Sequence, residues 1–194
     1  MKHKILMILL FFICMAAVPL GFIVKYGQTS SAKAPAPSPS AAVGEEETGA
    51  LNALSLCREG FDDETIKAVC MLQRTNIRAG DTEVKTADYP SETELYKRVK
   101  AIYNANKEIL CYQNQTVILP CSPCSGGFTE ATEEMPYLSA VASPWDCKSD
   151  LYDAEIHCRG VSISGVQYLC SQGLSAEEAL LWYLPGFHIE ASPQ

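Results

Sequence analysis

The chain has 194 residues and a formal net charge of −8, with 23 acidic against 15 basic residues. Such an acidic chain is poorly suited to bind nucleic acid or an anionic lipid surface, because both carry negative charge. We therefore expect no nucleic-acid partner, whereas a neutral carbohydrate is compatible with this composition.

The N-terminal segment is expected to lie in a membrane. Residues 5–24 carry no charge and are long enough to cross a hydrocarbon core of about 30 Å as a helix. Lys2 and Lys4 precede them, which favours an N-terminus inside the cell. We predict a single-pass signal anchor over residues 1–25, at the cell membrane, with the C-terminal domain extracytoplasmic. A signal peptide cleaved near Ala16 is the alternative.

A low-complexity segment follows the anchor. Residues 26–50 are rich in Ala, Ser, Pro and Gly and offer little apolar surface for a core. This composition predicts a disordered linker, behind which one domain spans residues 51–194.

The first half of that domain has helical patterns. Asp62 or Asp63 can cap a helix that runs to about Arg78. Apolar or buried-type residues repeat on one face at helical spacing, at Ile66, Val69, Cys70, Gln73 and Ile77. A capping box at residues 91–94 predicts a second helix.

The pattern changes after residue 106. Two β-prone runs at 109–112 and 116–119 flank Asn114-Gln115 and predict a hairpin, and residues 137–141 resemble a strand. Two more helices are expected, from about residue 166 to 173 and from a capping box at 175–178 to the residue before Pro185. The sequence therefore predicts a single compact α+β domain with a small antiparallel sheet and several helices.

Cysteine is abundant, with nine in the chain. Eight lie in the domain, and an even number in an exported domain is typical of disulfides. Cys121 and Cys124 have the Cys-x-x-Cys spacing of a zinc site. Cys147, His157 or Cys158 could complete such a site. Both interpretations, disulfides or zinc, remain open from the residues alone.

Four segments resemble motifs of one family in the same order. Residues 64–75 read E-T-I-K-A-V-C-M-L-Q-R-T, residues 125–129 read S-G-G-F-T, and residues 136–141 read P-Y-L-S-A-V before Asp146. The tail has R-G-V at 159–161 and Q-G-L-S-A-E-E at 172–178. Together they resemble the stage II sporulation protein D family, also called the LytB amidase-enhancer family.

The resemblance implies peptidoglycan as the partner. Some family members cleave glycan strands as lytic transglycosylases during engulfment in sporulation, and others stimulate a wall amidase. The expected function is thus a membrane-anchored wall protein that cleaves glycan strands in sporulation or wall remodelling. The alternative is a non-catalytic module, stapled by disulfides, that binds glycan or assists another wall hydrolase.

The same resemblance supplies candidate substrate-binding residues, namely Arg74, Ser125, Gly126, Gly127, Thr129 and Ser164. Two departures from the family pattern lie near them. Phe128 occupies the position of an arginine in the family's S-G-G-R-T loop, and the family's Gln-Tyr pair after Ser164 is missing.

The resemblance also places the catalytic acid before the first motif, where Glu59 is the candidate. A lytic transglycosylase needs a carboxylic acid of raised pKa to protonate the glycosidic oxygen. Glu59 lies closer to that motif than the family's glutamate and lacks the Met-Pro that follows it there. A solvated carboxylate paired with Arg58 is the alternative.

Aromatic residues are weaker candidates. Trp145, Trp182 and Tyr183 could stack on sugars, although isolated aromatics near helices or turns more often belong to the core. His188 is expected at the surface and not as a catalytic base.

Overall fold

The computed structural model describes residues 39–83 and 93–192, with side chains from residue 44 onward. The predicted membrane anchor, the cleavage alternative and the first part of the predicted linker lie outside these residues. None of the described helices is both long and apolar enough to cross a membrane.

Helix α1 (Pro39–Leu56) begins inside the segment predicted as linker and continues past residue 50. Its small residues are the reason. Ala50 and Ala53 are buried, and Gly49 lies so close to Tyr103 that a Cβ there would be 1.9 Å from the tyrosine oxygen. An Ala- and Gly-rich sequence resembles a linker, but here small residues let a helix approach its neighbours closely.

Helix α2 (Asp63–Arg78) is the centre of the domain. The predicted cap is confirmed, since the Asp62 carboxylate accepts a hydrogen bond from the Thr65 N–H at 2.7 Å. The predicted inward stripe is also buried. In addition, every residue from Ala68 to Ile77 is buried, so α2 is surrounded by other elements and not merely packed on one face.

Helix α3 (Glu94–Ala105) begins at the last residue of the predicted capping box, which spans residues 91–94. The observed cap is Thr93, whose hydroxyl accepts a hydrogen bond from the Tyr96 N–H at 3.1 Å. A threonine with extended backbone geometry satisfies the N-terminal donors as well as a serine does. Leu95 and Val99 of this helix are buried.

Strand β1 (Glu108–Tyr112) does not form the predicted hairpin. A tight turn follows it, but β1 pairs in antiparallel register with the C-terminal strand. Side chains of α2 occupy the backbone groups that a hairpin would use. Asn76 both donates to and accepts from the backbone of Leu119, at 3.0 and 2.7 Å, and Thr75 accepts from the Leu110 N–H at 2.9 Å.

The remaining short strands pair in parallel, which differs from the predicted antiparallel sheet. Two parallel pairs form, in which β2 (Cys121–Ser122) pairs with β5 (Val161–Ser162) and β3 (Thr129–Glu130) pairs with β4 (Cys158–Arg159). The predicted strand at 137–141 is irregular, because Thr129 bonds the backbone of Val141 through its own N–H and hydroxyl. A 3₁₀ helix (Pro144–Lys148) follows.

The C-terminal part agrees with the predicted helices. Helix α4 (Ile163–Ser171) is capped by Ser162 and begins three residues before the predicted start. Helix α5 (Ala176–Tyr183) begins at the predicted capping box of Ser175 and Glu178. Strand β6 (Phe187–Ala191) closes against β1. The described chain is thus a mixed α+β domain with five α-helices and three small sheets.

Candidate functional site

The loop of residues 125–129 is held from inside the domain by Asp146. The Asp146 carboxyl group accepts hydrogen bonds from the Ser125 hydroxyl at 2.5 Å, the Ser125 N–H at 3.0 Å and the Ser162 hydroxyl at 2.7 Å. All three side chains are buried. Ser125 therefore anchors the loop to the 3₁₀ helix and to the cap of α4, and it has no surface to offer a ligand.

The two glycines of the loop are required for different structural reasons. A Cβ on Gly126 would lie 2.7 Å from the Ala154 carbonyl oxygen, so close packing excludes a side chain there. Gly127 has a φ of 101° with open space around it, a conformation that glycine adopts without strain. Both are partly exposed at the surface beside Phe128.

Two other predicted binding residues lie in the interior. Thr129 is buried, with its hydroxyl donating to the Ser139 carbonyl at 3.3 Å. Arg74 is buried too, with its guanidinium 4.0 Å from the centre of the Tyr103 ring and bonded to the Tyr103 carbonyl oxygen. Arg74 thus fastens α2 to α3 and does not face a ligand.

Ser164 is the predicted site residue that borders an open cavity. This cavity of about 370 Å³ lies between the 3₁₀ helix and α4, and we name it the α4 cavity. It is lined by Trp145, Lys148, Ser149, Asp150, Ser164, Gln167, Tyr168 and Ser171. The Ser164 hydroxyl lies 3.0 Å from that of Ser149 and donates to the Pro123 carbonyl at 2.7 Å. It therefore connects the cavity to the Cys-x-x-Cys segment.

The aromatic part of the α4 cavity is a stacked pair. The Trp145 and Tyr168 rings are nearly parallel, at 9°, with centroids 5.6 Å apart. The Lys148 ammonium group lies 4.5 Å from the Tyr168 ring centre and 3.2 Å from its hydroxyl oxygen. An apolar face beside hydroxyl, amide and charged groups is the combination that a sugar ring requires, since sugars present both C–H faces and hydroxyls.

The buried Tyr183 fixes the position of Trp145. Its hydroxyl accepts a hydrogen bond from the Trp145 indole N–H at 3.1 Å and lies 2.6 Å from the Ser143 hydroxyl. Burial raises the pKa of Tyr183, so the phenol stays neutral and can donate to Ser143. The expectation that Tyr183 belongs to the core is confirmed; Trp145 is only partly buried and faces the cavity.

Glu59 lies in an exposed turn at the edge of this region. The predicted pairing of Glu59 with Arg58 is replaced by an ion pair between Arg58 and Asp150, at 3.7 Å. Asp150 lines the α4 cavity, so the turn that carries Glu59 stands beside the cavity. The exposed position leaves the Glu59 carboxylate in contact with solvent.

The cysteines do not form the predicted disulfides. No disulfide joins any of the eight cysteines within the described part of the chain. Burial raises the pKa of several of these thiols, to about 12 for Cys57 and to about 11 for Cys158 and Cys170. Six of the eight cysteines are buried as small side chains of the interior, whereas Cys121 is half-buried and Cys147 is exposed.

The zinc interpretation also lacks a set of ligands. Among the residues that the structure describes, no group of three or more His, Cys, Asp or Glu side chains could hold a metal ion. His157, one of the predicted completing ligands, is exposed and lies 2.5 Å from the Glu130 carboxylate. His188 is partly exposed and pairs with Glu190 on the same strand at 2.8 Å.

Sequence reasoning did not assign Lys148, Asp150, Gln167 and Tyr168 to a site. Their only sequence signal is nearness to Ser164 and Trp145 along the chain. A second cavity of about 480 Å³, at the start of α2, contains none of the predicted site residues. Its Lys67 ammonium is paired with Glu177 and Glu108, so its charges already compensate each other.

The described part of the chain is thus a mixed α+β domain with a polar and aromatic cavity beside its predicted binding loop. No protein-family model matches it. Over 68 residues it is 40% identical to stage II sporulation protein D of Bacillus subtilis (strain 168). The match covers 32% of this chain and 20% of that protein. This is a partial relationship to stage II sporulation protein D, limited to one segment.

Proposed function

We propose that this protein binds the glycan strands of peptidoglycan at the outer face of the cell membrane and acts in cell-wall remodelling during sporulation. The observation that carries the proposal is the α4 cavity, where the Trp145–Tyr168 stack adjoins hydroxyl, amide and charged side chains. The partial similarity to stage II sporulation protein D supports the sporulation setting. The uncharged residues 5–24 would hold the domain near the wall.

The chemistry of the cavity favours sugar over other ligands. Sugars stack their C–H faces on aromatic rings, and Ser149, Ser164 and Gln167 supply donors and acceptors for their hydroxyls. An acidic chain opposes phosphate-rich partners. A module that only binds would position a strand for another wall hydrolase, which is the partner we expect from the resemblance.

The test uses the full-length chain purified in detergent and isolated sacculi. Wild type should co-sediment with sacculi, and Gln167→Ala should bind about tenfold more weakly because it removes a cavity amide. Gln172→Ala is the matched control, since Gln172 is exposed at the end of the same helix and does not line the cavity. Absence of wild-type binding to sacculi would overturn the proposal.

A second candidate is lytic transglycosylase activity with Glu59 as the acid. The ion pair of Arg58 with Asp150 favours it, because it brings the Glu59 turn to the α4 cavity. Glu59 would protonate the glycosidic oxygen as the C1–O bond breaks. The sugar's 6-hydroxyl would then bond to C1 and return its proton to the carboxylate. A bound strand would have to cover the turn and exclude water from the acid.

The products distinguish this candidate from binding alone. Digestion of sacculi by the full-length chain should release fragments with 1,6-anhydro ends, and Glu59→Gln should release none while still binding. Glu155→Gln is a control at another exposed carboxylate. If wild type binds sacculi but releases no fragments with 1,6-anhydro ends, the second candidate is rejected and the protein is a glycan-binding module.

A further inference from the structure

Two of the most exposed large apolar side chains lie next to each other. Phe128 is 53% exposed and Trp182 is 46% exposed. Both contact the backbone of Ala142. Phe128 forms an antiparallel bridge with Ala142, and the Trp182 indole N–H donates to the Ala142 carbonyl at 3.1 Å. The two exposed residues therefore meet at Ala142, although 54 positions separate them in the sequence.

This surface continues into the α4 cavity. The Trp182 ring centre lies 5.2 Å from that of Trp145, at an interplanar angle of 59°. Trp145 in turn stacks on Tyr168 inside the cavity. We name Phe128, Trp182, Trp145 and Tyr168 the aromatic row. Ring contacts join Trp182, Trp145 and Tyr168, and the backbone of Ala142 links Trp182 to Phe128 in the loop of residues 125–129.

The row is held rigidly. Both indole N–H groups are bonded within the domain, Trp182 to Ala142 and Trp145 to Tyr183. Phe128 is fixed by the backbone bridge and by its neighbour Gly127, whose carbonyl accepts from the Ser143 N–H at 2.8 Å. Rings that are already ordered lose little conformational entropy when a ligand stacks on them. Their exposure is therefore suited to binding.

We propose that the aromatic row binds further sugar rings of a carbohydrate chain whose first unit occupies the α4 cavity. The inference rests on the proposed glycan binding and adds a length requirement to it. Phe128 presents an exposed ring at the position where the similar family loop has an arginine. Its contribution to binding would therefore be particular to this chain. A chain of sugars fits better than a protein partner, since the row leads into hydroxyl and amide groups and not into an apolar groove.

The chain carries its own reporters for the test. Its two tryptophans are Trp145 and Trp182, and both belong to the row, so tryptophan fluorescence follows occupancy directly. The probes are the single peptidoglycan disaccharide and a purified glycan-strand fragment of several repeats. For the wild-type full-length chain, we expect the long fragment to bind at least about tenfold more tightly than the disaccharide.

Substitutions at Phe128 separate stacking from other apolar contact. Phe128→Leu should lose about fivefold in affinity for the long fragment and leave the disaccharide unchanged, whereas Phe128→Tyr should retain both affinities. Ile118→Ala is the control, because Ile118 is 43% exposed and lies outside the row.

The outcomes distinguish this inference from the proposed function. Equal wild-type affinity for the two probes, or a long-fragment affinity unchanged in Phe128→Leu, would overturn the aromatic row and leave cavity binding intact. Failure of wild type to bind either probe would overturn the proposed function and the row together.

Discussion

The hydroxyl groups of Ser143 and Tyr183 lie 2.6 Å apart beneath the indole of Trp145. Ser143 precedes the 3₁₀ helix and Tyr183 ends α5, so one buried contact links the two segments that carry the tryptophans. Tyr183 also bonds the Trp145 N–H at 3.1 Å. The geometry of the aromatic surface thus depends on a polar contact in the core.

Removal of that hydroxyl should loosen Trp145. Tyr183→Phe leaves the Trp145 N–H and the Ser143 hydroxyl without their shared partner, and we expect a loss of about 1.5 kcal/mol in unfolding free energy. Urea denaturation measures the loss, and tryptophan emission should change in the folded state. Tyr152→Phe, at an exposed tyrosine, should change neither. Equal stability of Tyr183→Phe and wild type would contradict the role of this contact.

Asp146 is expected to be a major determinant of stability. Asp146→Ala leaves two buried serine hydroxyls and a backbone N–H without their acceptor and should cost about 3 kcal/mol. Asp146→Asn keeps one acceptor oxygen and should cost about 1 kcal/mol. Asp153→Ala, at an exposed carboxylate, is the control and should stay close to wild type in urea denaturation. An Asp146→Ala chain of wild-type stability would refute this prediction.

Packing of α1 can be tested with two glycines of the same helix. Gly49→Ala puts a methyl group against the buried Tyr103 ring and should destabilise the domain by about 2 kcal/mol. Gly44→Ala meets nothing within 4 Å and should stabilise it by up to about 1 kcal/mol through helix propensity. Thermal unfolding followed by circular dichroism gives both values. Two equally stabilising substitutions would indicate that α1 does not pack on α3.

The thiols should differ strongly in reactivity. Burial keeps Cys57, Cys158 and Cys170 protonated, with pKa values of about 11 to 12, whereas Cys147 is exposed. In a Cys14→Ser background, after reductant is removed, iodoacetamide should label Cys147 first, and Cys147→Ser should abolish the fast phase. Peptide mass spectrometry locates the label. Rapid labelling of Cys57 in the folded chain would contradict the buried placement.

The Lys67–Glu177 pair should make stability depend on acid pH. Burial raises the pKa of Glu177, but the hydrogen bond from Lys67 and further hydrogen bonds outweigh it and lower the pKa to about 2. The folded state therefore favours the carboxylate. This stabilisation is complete above the ordinary pKa of 4.5 and is lost as the pH falls towards 2.

The measurement compares unfolding free energies at pH 6 and pH 3. Lys67→Met should remove about 1 to 2 kcal/mol of the wild-type decrease between these values. Lys97→Met is the control, because Lys97 and its partner Glu94 are 61% and 88% exposed and contribute little. If Lys67→Met shows the same decrease in unfolding free energy from pH 6 to pH 3 as wild type, the pH dependence arises from other groups.

Local signals in the sequence were sufficient for most helices. Asp62 caps α2 and Ser175 caps α5 as predicted, because a cap depends on residues only three positions apart. The hairpin prediction failed for the opposite reason. Whether residues 116–119 pair with β1 depends on Asn76, which occupies the backbone of Leu119 from a helix that lies 43 positions earlier in the sequence.

In the candidate site, too, the local sequence and the tertiary contacts determine different features. The motif of residues 125–129 predicted a binding loop, but it could not distinguish an anchor from a contact residue. Ser125 is a small hydroxyl residue in a glycine loop, which is equally typical of ligand binding and of a buried hydrogen bond. Its role follows from Asp146, which lies 21 positions away and beneath the loop.

The sequence by itself determined the acidic charge, most of the helices, the caps of α2 and α5, and the partial similarity to stage II sporulation protein D. These depend on composition or on neighbours within a few residues. The tertiary structure alone decided that Ser125, Thr129 and Arg74 are interior. It also decided that the Trp182, Trp145 and Tyr168 rings contact one another in series, and that Phe128 and Trp182 meet at Ala142. Burial and ring contacts arise between elements that are distant in sequence, and no local pattern determines which of them meet.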